Sequence, residues 1–223
     1  MDQIKLRCPL LRKHLWGAHT CMINQLFGEN PNALFYGPEG HTAVDILTTG
    51  DYAFLPYNQK FINGKRTGEW KREERSTQEK LGRIHLVAAH DGFLTTNVFW
   101  QDERNGWGMI LTSEDGIYRT LYWHIESPWG SLQTFMERIA IRFSPEFVRA
   151  GSIIAIAGNT GHPKYSTGPH LHFELQRNVN DKWISEDPML YFQDNETIYH
   201  RWYGGEYHKF FYMGKEIASK DAR

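Results

Sequence analysis

The sequence predicts a mainly β protein: an antiparallel β-sheet or sandwich with a groove across one face, few short helices and one charged insertion. Three observations carry this. Between residues 84 and 124 the chain is cut into short β-prone runs, at 84–89, 93–99, 108–112 and 118–124, with the length and composition of strands. The dipeptides Asp91-Gly92, Asn105-Gly106 and Asp115-Gly116 fall between those runs, and such pairs close tight hairpins, so successive antiparallel strands are expected. Farther on, an apolar run bounded by Gly151 and Gly158 reads as a buried strand and leads into Ser166-Thr167-Gly168-Pro169-His170-Leu171-His172-Phe173-Glu174-Leu175. Side chains alternate along a strand, so His170 and His172 project to one side while Leu171 and Phe173 anchor the other in a core. The histidine face is left to line a cleft.

Taken in order, the chain opens with an N-terminal arm, residues 1–19, that lacks the uninterrupted apolar region of a secretory signal. Residues 20–27 read as a first strand, a loop rich in Gly, Pro and Asn runs to Gly40, and residues 41–47 form a second strand. From about 59 to 82 the charges alternate in sign, which marks a solvated insertion, partly helical around Glu69 and Glu79. One further helix is expected over 134–142. At the C-terminus, 197–203 should pair with 206–212 around Gly204-Gly205, followed by a mobile polar tail. This gives one domain over 1–195 and a C-terminal aromatic hairpin and tail over 196–223.

At 223 residues the chain can bury one sizeable core. Lys and Arg number 25 against 26 Asp and Glu, for a net charge of −1, so no global attraction to nucleic acid is expected. No apolar run reaches membrane-spanning length. Cys8 and Cys21 are the only cysteines. They are compatible with a disulfide contributing about 3 kcal/mol or with two buried thiols, but not with a thiolate metal site.

The His-x-His strand gains meaning from a second set of ligand-type residues, His41 and Asp45, which share a face under either strand or helix periodicity, and from His124 on another β-prone run. Zinc prefers nitrogen and oxygen donors in a tetrahedron, and a catalytic site uses three protein ligands with the fourth position left for water. His41, Asp45 and His172 satisfy that count for one Zn2+ ion. His170 and His124 are then left near the open position, where hydrolysis needs a proton acceptor and a polarising group. The remaining histidines, His14, His19, His85, His90, His162, His200 and His208, lack a metal-type partner at short spacing. They read as surface or packing residues, with His90 and His162 the first exceptions to consider.

These residues resemble the lysostaphin-type zinc endopeptidases of bacterial cell walls. The family pattern has His-x-Gly-x-Asp early, Tyr-x-His-Leu in the middle and Thr-Gly-x-Ser-Thr-Gly-Pro-His-Leu-His-Phe-Glu late. The corresponding stretches are His41 to Asp45, Tyr122-Trp123-His124-Ile125, and Thr160 to Glu174 with a few extra residues. The resemblance extends over about residues 20–192. Two positions depart from it: Ala43 replaces glycine and Ile125 replaces leucine. Alanine adopts positive φ only at a cost, so Ala43 is expected in ordinary extended backbone, with small size as the local requirement.

The resemblance implies a zinc endopeptidase that hydrolyses a peptide bond in bacterial peptidoglycan, stem or crossbridge. It implies His41, Asp45 and His172 as metal ligands, His170 as general base and His124 as the group that steadies the oxyanion or the nucleophilic water. The partner is then a wall peptide, with a monomer as the default. The site of action is the cell wall, whether extracellular, periplasmic or virion-associated. With no signal seen, synthesis in the cytoplasm and release as a phage or prophage lysin or virion-associated hydrolase is the expectation. A catalytically silent wall-binding or assembly module is the alternative, and a carboxypeptidase a third. The intact set of five polar positions speaks against the silent module.

Overall fold

The computed structural model describes residues 3–11, 19–33, 36–48, 54–56, 60–62, 65–67, 84–94, 99–100, 104–126, 145–161, 169–193, 197–203, 207–212 and 215–217. Its elements are β1 (His19–Gln25), β2 (Val44–Leu47), β3 (Phe54–Pro56), β4 (Lys60–Ile62), β5 (Lys65–Thr67), β6 (His85–Val87), β7 (Gly92–Leu94), β8 (Phe99–Trp100) and β9 (Trp107–Thr112). They continue as β10 (Tyr118–Trp123), β11 (Glu146–Val148), β12 (Ile153–Ile156), β13 (His170–Val179), β14 (Lys182–Glu186), β15 (Thr197–Tyr203), β16 (Tyr207–Tyr212) and β17 (Lys215–Ile217). A 3-10 turn at Pro188–Leu190 is the only helical element among the described residues. The predicted β class is therefore what the chain adopts.

One large sheet runs in the order β11-β7-β9-β10-β13-β2-β1-β15-β16-β17, with β14 on β13, β3 on β1 and β8 on β9. Its pairs are antiparallel except β1 with β15, which runs parallel. The ten-residue β13 is its spine, meeting β2 through 170–173, β10 through 172–177 and β14 through 175–179. The tight turn expected at Asp115-Gly116 joins β9 to β10, with Gly116 at φ 70°. Asn105-Gly106 joins β8 to β9.

The alternation read from the sequence holds along β13. Leu171, Phe173 and Leu175 are 1%, 0% and 0% exposed and face the core. There Tyr122 meets Phe173 edge-on at 5.2 Å and Phe173 stacks on Phe192 at 5.8 Å. A second layer closes this face: the two-stranded β6–β12 sheet, the 188–192 segment and the N-terminal arm. The arm pairs Leu6 with Phe192 and Leu10 with Leu86, and Cys8 and Cys21 are buried thiols in contact at 3.4 Å, not joined in a disulfide. Burying an aromatic side chain of this size stabilises by about 2–3 kcal/mol, so this face dominates the stability of the fold.

Several expectations need correction. Asp91-Gly92 does not close a hairpin, because β6 belongs to the small sheet and β7 to the large one. The chain crosses layers there, and Asp91 instead accepts bonds from Ala150 N at 2.7 Å and Arg149 Nη1 at 2.9 Å. The strand expected to be buried at 151–158 is only partly so, with Ile153 at 41% exposed, since β12 lies in the outer layer. The first part of the charged insertion forms the hairpin β4–β5, and the helical stretch expected around Glu69 and Glu79 lies outside the described residues. The helix expected over 134–142 lies outside them too. The C-terminal strands pair as β15–β16, and Lys215–Ile217 adds a third strand where a tail was expected.

Candidate metal centre

Asp45 on β2 and His172 on β13 are direct cross-strand partners, and side chains so placed are in contact on one face of a sheet. His172 Nδ1 lies 3.0 Å from Asp45 Oδ1. His41 precedes β2, held by two backbone bonds to the 28–29 turn: Gly28 N to His41 O at 2.7 Å and His41 N to Glu29 O at 2.9 Å. Its Nδ1–H donates to Leu26 O at 3.2 Å, which leaves the Nε2 lone pair pointing inward. Nε2 lies 3.2 Å from both Asp45 Oδ1 and His172 Nδ1.

Three donor atoms thus sit at mutual distances of 3.0–3.2 Å. Bonds of about 2.0 Å to a tetrahedral ion imply donor–donor edges of about 3.3 Å, so the donor set fits zinc in both chemistry and spacing. Among the described residues these three are the group able to hold a metal ion. All are buried, with His41 at 0%, Asp45 at 5% and His172 at 9% exposure.

His170 and His124 complete the cluster. His170 Nε2 is 3.7 Å from Asp45 Oδ2, and its ring centroid is 4.6 Å from that of His124, which is 5.7 Å from His172. Strict alternation along β10 would send residue 124 toward the core with Thr120 and Tyr122. His124 instead takes φ 59° just past the strand, a left-handed conformation uncommon for a side-chain-bearing residue. That bend turns its ring to the groove, where Nδ1–H donates to Thr160 O at 2.7 Å. Thr160 is itself fixed by donating to Ile125 O at 2.9 Å and accepting from Trp107 N at 3.0 Å.

Burial, followed by the neighbouring charges of His170 and His172, pushes the His124 imidazole down to about 3, so it is neutral at ordinary pH. Burial also lowers His172, opposed by the Asp45 hydrogen bond. For Asp45 burial favours the neutral acid, but His170, His172 and His41 outweigh it and hold the carboxyl well below the usual range. The centre is therefore an ionised carboxylate among imidazoles, the state in which these groups act as ligands.

Of the other positions singled out, His90 lies on the opposite side of the sheet, bonded to Asp91 O at 2.7 Å and Thr120 Oγ1 at 3.1 Å. His162 lies outside the described residues. Ala43 is fully buried and is not among the residues with positive φ. Sequence reasoning passed over Tyr36, whose ring meets His41 edge-on at 5.2 Å and whose hydroxyl donates to Gln25 Oε1 at 3.2 Å. An aromatic residue inside a Gly-, Pro- and Asn-rich loop was the available signal. Beside the cluster opens a groove of about 530 Å3, between the Tyr36–Thr42 loop and the floor formed by β10 and β13.

Fold and cluster together define a β-sheet protein with a preformed three-donor site at the edge of an open groove. Residues 79–184 match the profile of Peptidase family M23. The chain is 34% identical over 90 residues to glycyl-glycine endopeptidase ALE-1 of Staphylococcus capitis, covering 40% of this chain and 21% of that protein. It is 32% identical over 90 residues to lysostaphin of Staphylococcus staphylolyticus, covering 40% and 16%. Over this part of its length the chain is similar to lysostaphin-type M23 peptidases, and it matches about a fifth of the length of these curated relatives. Among solved structures, the catalytic domain of lysostaphin from Staphylococcus simulans aligns with a TM-score of 0.44 at 21% identity, covering 75% of this chain and 88% of that one. His124, His170 and His172 fall inside the profile match, whereas His41 and Asp45 precede it.

Proposed function

We propose that this chain is a zinc-dependent endopeptidase that hydrolyses a peptide bond in bacterial peptidoglycan. The observation that carries the proposal is the trio of buried donor atoms at 3.0–3.2 Å from one another, with two further imidazoles beside an open groove. The relatives named as a glycyl-glycine endopeptidase and lysostaphin support the substrate class. His41, Asp45 and His172 would hold one Zn2+, with residues 1–195 as the peptidase domain and 196–223 as an appended aromatic hairpin and tail.

When bound, the ion supplies a Lewis acid that polarises a carbonyl and acidifies water. His41 is oriented for its part by the bond to Leu26 O. His170, turned to the groove within reach of Asp45, takes the proton from the attacking water as general base and passes it to the leaving amine. His124 is neutral with its proton on Nδ1, committed to Thr160 O, so its Nε2 presents a lone pair that accepts a hydrogen bond. Its place beside His170 suits it to steady the nucleophilic water by accepting one of its hydrogens. A wall-lytic role as a phage or prophage lysin or virion-associated hydrolase belongs to the same proposal.

The test is metal content together with amine release from purified sacculi. Wild-type protein should carry one equivalent of zinc and release amines. His172→Ala should lose both, while His170→Ala should keep the metal and the fold but lose turnover by roughly a hundredfold to ten-thousandfold. Zinc loss in His170→Ala with retention in His172→Ala would reverse the roles. Zinc-loaded wild-type protein that binds sacculi without releasing amines would overturn the enzymatic reading.

A further inference from the structure

The groove continues past the metal centre along β13. His172, Glu174 and Gln176 share one face, and across the ladder they pair with Trp123, Leu121 and Arg119. At the far end, Gln176 stands between two opposite charges. Its Oε1 accepts from Arg119 Nε at 2.7 Å, and its Nε2 donates to Glu174 Oε1 at 2.8 Å. Ser185 Oγ donates to the same Glu174 oxygen at 2.5 Å. Arg119 Cζ lies over the Trp183 ring, 4.2 Å from its centroid. Glu174 is 8% exposed.

This arrangement is costly unless something else joins it. A buried carboxylate and a partly buried guanidinium are normally brought into direct contact, because attraction then offsets desolvation. Here an amide spacer holds them apart while fixing both. One Glu174 oxygen takes both bonds, and Oε2 makes none among the described residues. Arg119 spends only Nε, and its two terminal nitrogens, the fork that grips a carboxylate, make no bond among the described residues.

We propose that Arg119, Gln176 and Glu174 form a subsite for a substrate group bearing both a carboxylate and an ammonium, so that the peptide cut contains a diaminodicarboxylic acid residue rather than oligoglycine. The proposal rests on the endopeptidase reading above. Arg119 takes the carboxylate and Glu174 Oε2 takes the ammonium. An oligoglycine segment offers neither charge, and lysine offers only the ammonium. Glu174 and Gln176 stand two and four residues along the strand from His172, about 7 and 13 Å. The recognised group therefore lies two to four extended residues from the scissile bond, or at the end of a long side chain.

The test compares zinc-loaded protein on three synthetic wall peptides that differ at one place: a diaminodicarboxylic acid, lysine, and a pentaglycine bridge. The expected kcat/KM preference for the first over lysine is roughly 10- to 100-fold, the size of a charge-assisted hydrogen bond. Arg119→Met, which keeps the contact with Trp183, should collapse that ratio to near unity, and Arg119→Lys should restore part of it. Thermal unfolding of each variant accompanies the kinetics. Equal losses on all three peptides with Arg119→Met, or a preference for pentaglycine that survives it, would overturn the subsite and leave the endopeptidase reading standing. If no peptide is cut, equilibrium binding of the diaminodicarboxylic peptide decides separately. Tighter binding than the lysine peptide, lost in Arg119→Met, supports the subsite, and equal binding of the two overturns it.

Discussion

Gly40, next to the metal-ligand candidate His41, offers a sharp test of how the centre is held. It has φ +77°, and an added Cβ would lie 2.5 Å from Gly28 O, 2.7 Å from Gly28 C and 2.9 Å from Glu29 O. All three are backbone atoms, so no side-chain rotation can relieve the overlap. Two penalties combine in Gly40→Ala. Positive φ costs alanine about 1 kcal/mol. Separating the 28–29 turn from 40–41 weakens the bonds Gly28 N to His41 O and His41 N to Glu29 O, each worth about 1 kcal/mol. The sum, roughly 2–4 kcal/mol, corresponds to a Tm loss of about 5–15 °C for a chain of this size. The same shift carries His41 Nε2 away from Asp45 and His172, and metal sites tolerate only about 0.2 Å, so zinc affinity should fall by roughly 10- to 100-fold. Gly116→Ala is the control: φ is +70° but nothing lies within 4 Å of the new Cβ, so it should show only the backbone penalty. Thermal unfolding of metal-free protein and zinc titration against a competing chelator are the assays. Equal Tm losses in the two variants, with unchanged zinc affinity in Gly40→Ala, would refute the reasoning.

A Cβ on Gly108 would lie 1.9 Å from Trp123 Cε3, so Gly108→Ala must displace the indole that pairs with His172. A stability loss of about 1–3 kcal/mol with altered tryptophan fluorescence is expected, and an unchanged spectrum would contradict the contact. Because His124 is held at φ 59°, His124→Gly should be more stable than His124→Ala by about 1 kcal/mol while both lose turnover. Equal unfolding midpoints would remove the backbone argument. Burial, partly offset by Asp91, depresses the His90 imidazole below its ordinary value. The unfolded chain then takes up a proton that the folded chain resists, so this contribution is intact above about pH 6.5 and is lost as pH falls below it. His90→Asn should flatten the stability–pH curve on the acid side, and curves parallel to wild type would count against it.

The β class and the position of His170 and His172 were legible because a period of two is a local property: 170 and 172 face the groove whatever β13 pairs with. The antiparallel pairings signalled by Asn105-Gly106 and Asp115-Gly116 were legible for the same reason. Asp91-Gly92 carried the same local signal, but the layer crossing between β6 and β7 overrode it. The parallel pairing of β1 with β15 joins segments almost 180 residues apart by number, and no local pattern announces it. His124 was placed on a strand whose alternation would bury it, and only the bend at φ 59° returns it to the cluster. The Arg119–Gln176–Glu174 chain depends on the register of β10 against β13, 57 residues apart at Arg119 and Gln176, so its members looked like ordinary polar strand residues.

The two faces of β13 divide the work, and this fixes what metal removal should do. On the core side Tyr122, Phe173, Phe192, Leu6, Leu86 and Leu111 are all nearly or fully buried, and none of them touches the donor trio's role. On the groove side, His172 Nδ1 lies within hydrogen-bond distance of Asp45 Oδ1, 3.0 Å, so the carboxylate keeps a partner when the ion is removed. A small zinc domain unfolds when stripped because its ligands are its core. Here the core is separate, and an ion adds stability only through mass action, about 4 kcal/mol at a free concentration a thousandfold above Kd. Chelation should therefore abolish turnover and lower Tm while leaving the far-ultraviolet circular dichroism of a β-sheet intact below the new midpoint, and zinc should restore activity on return. Loss of the β signal at ambient temperature upon chelation would show that the core face alone cannot hold the sheet together.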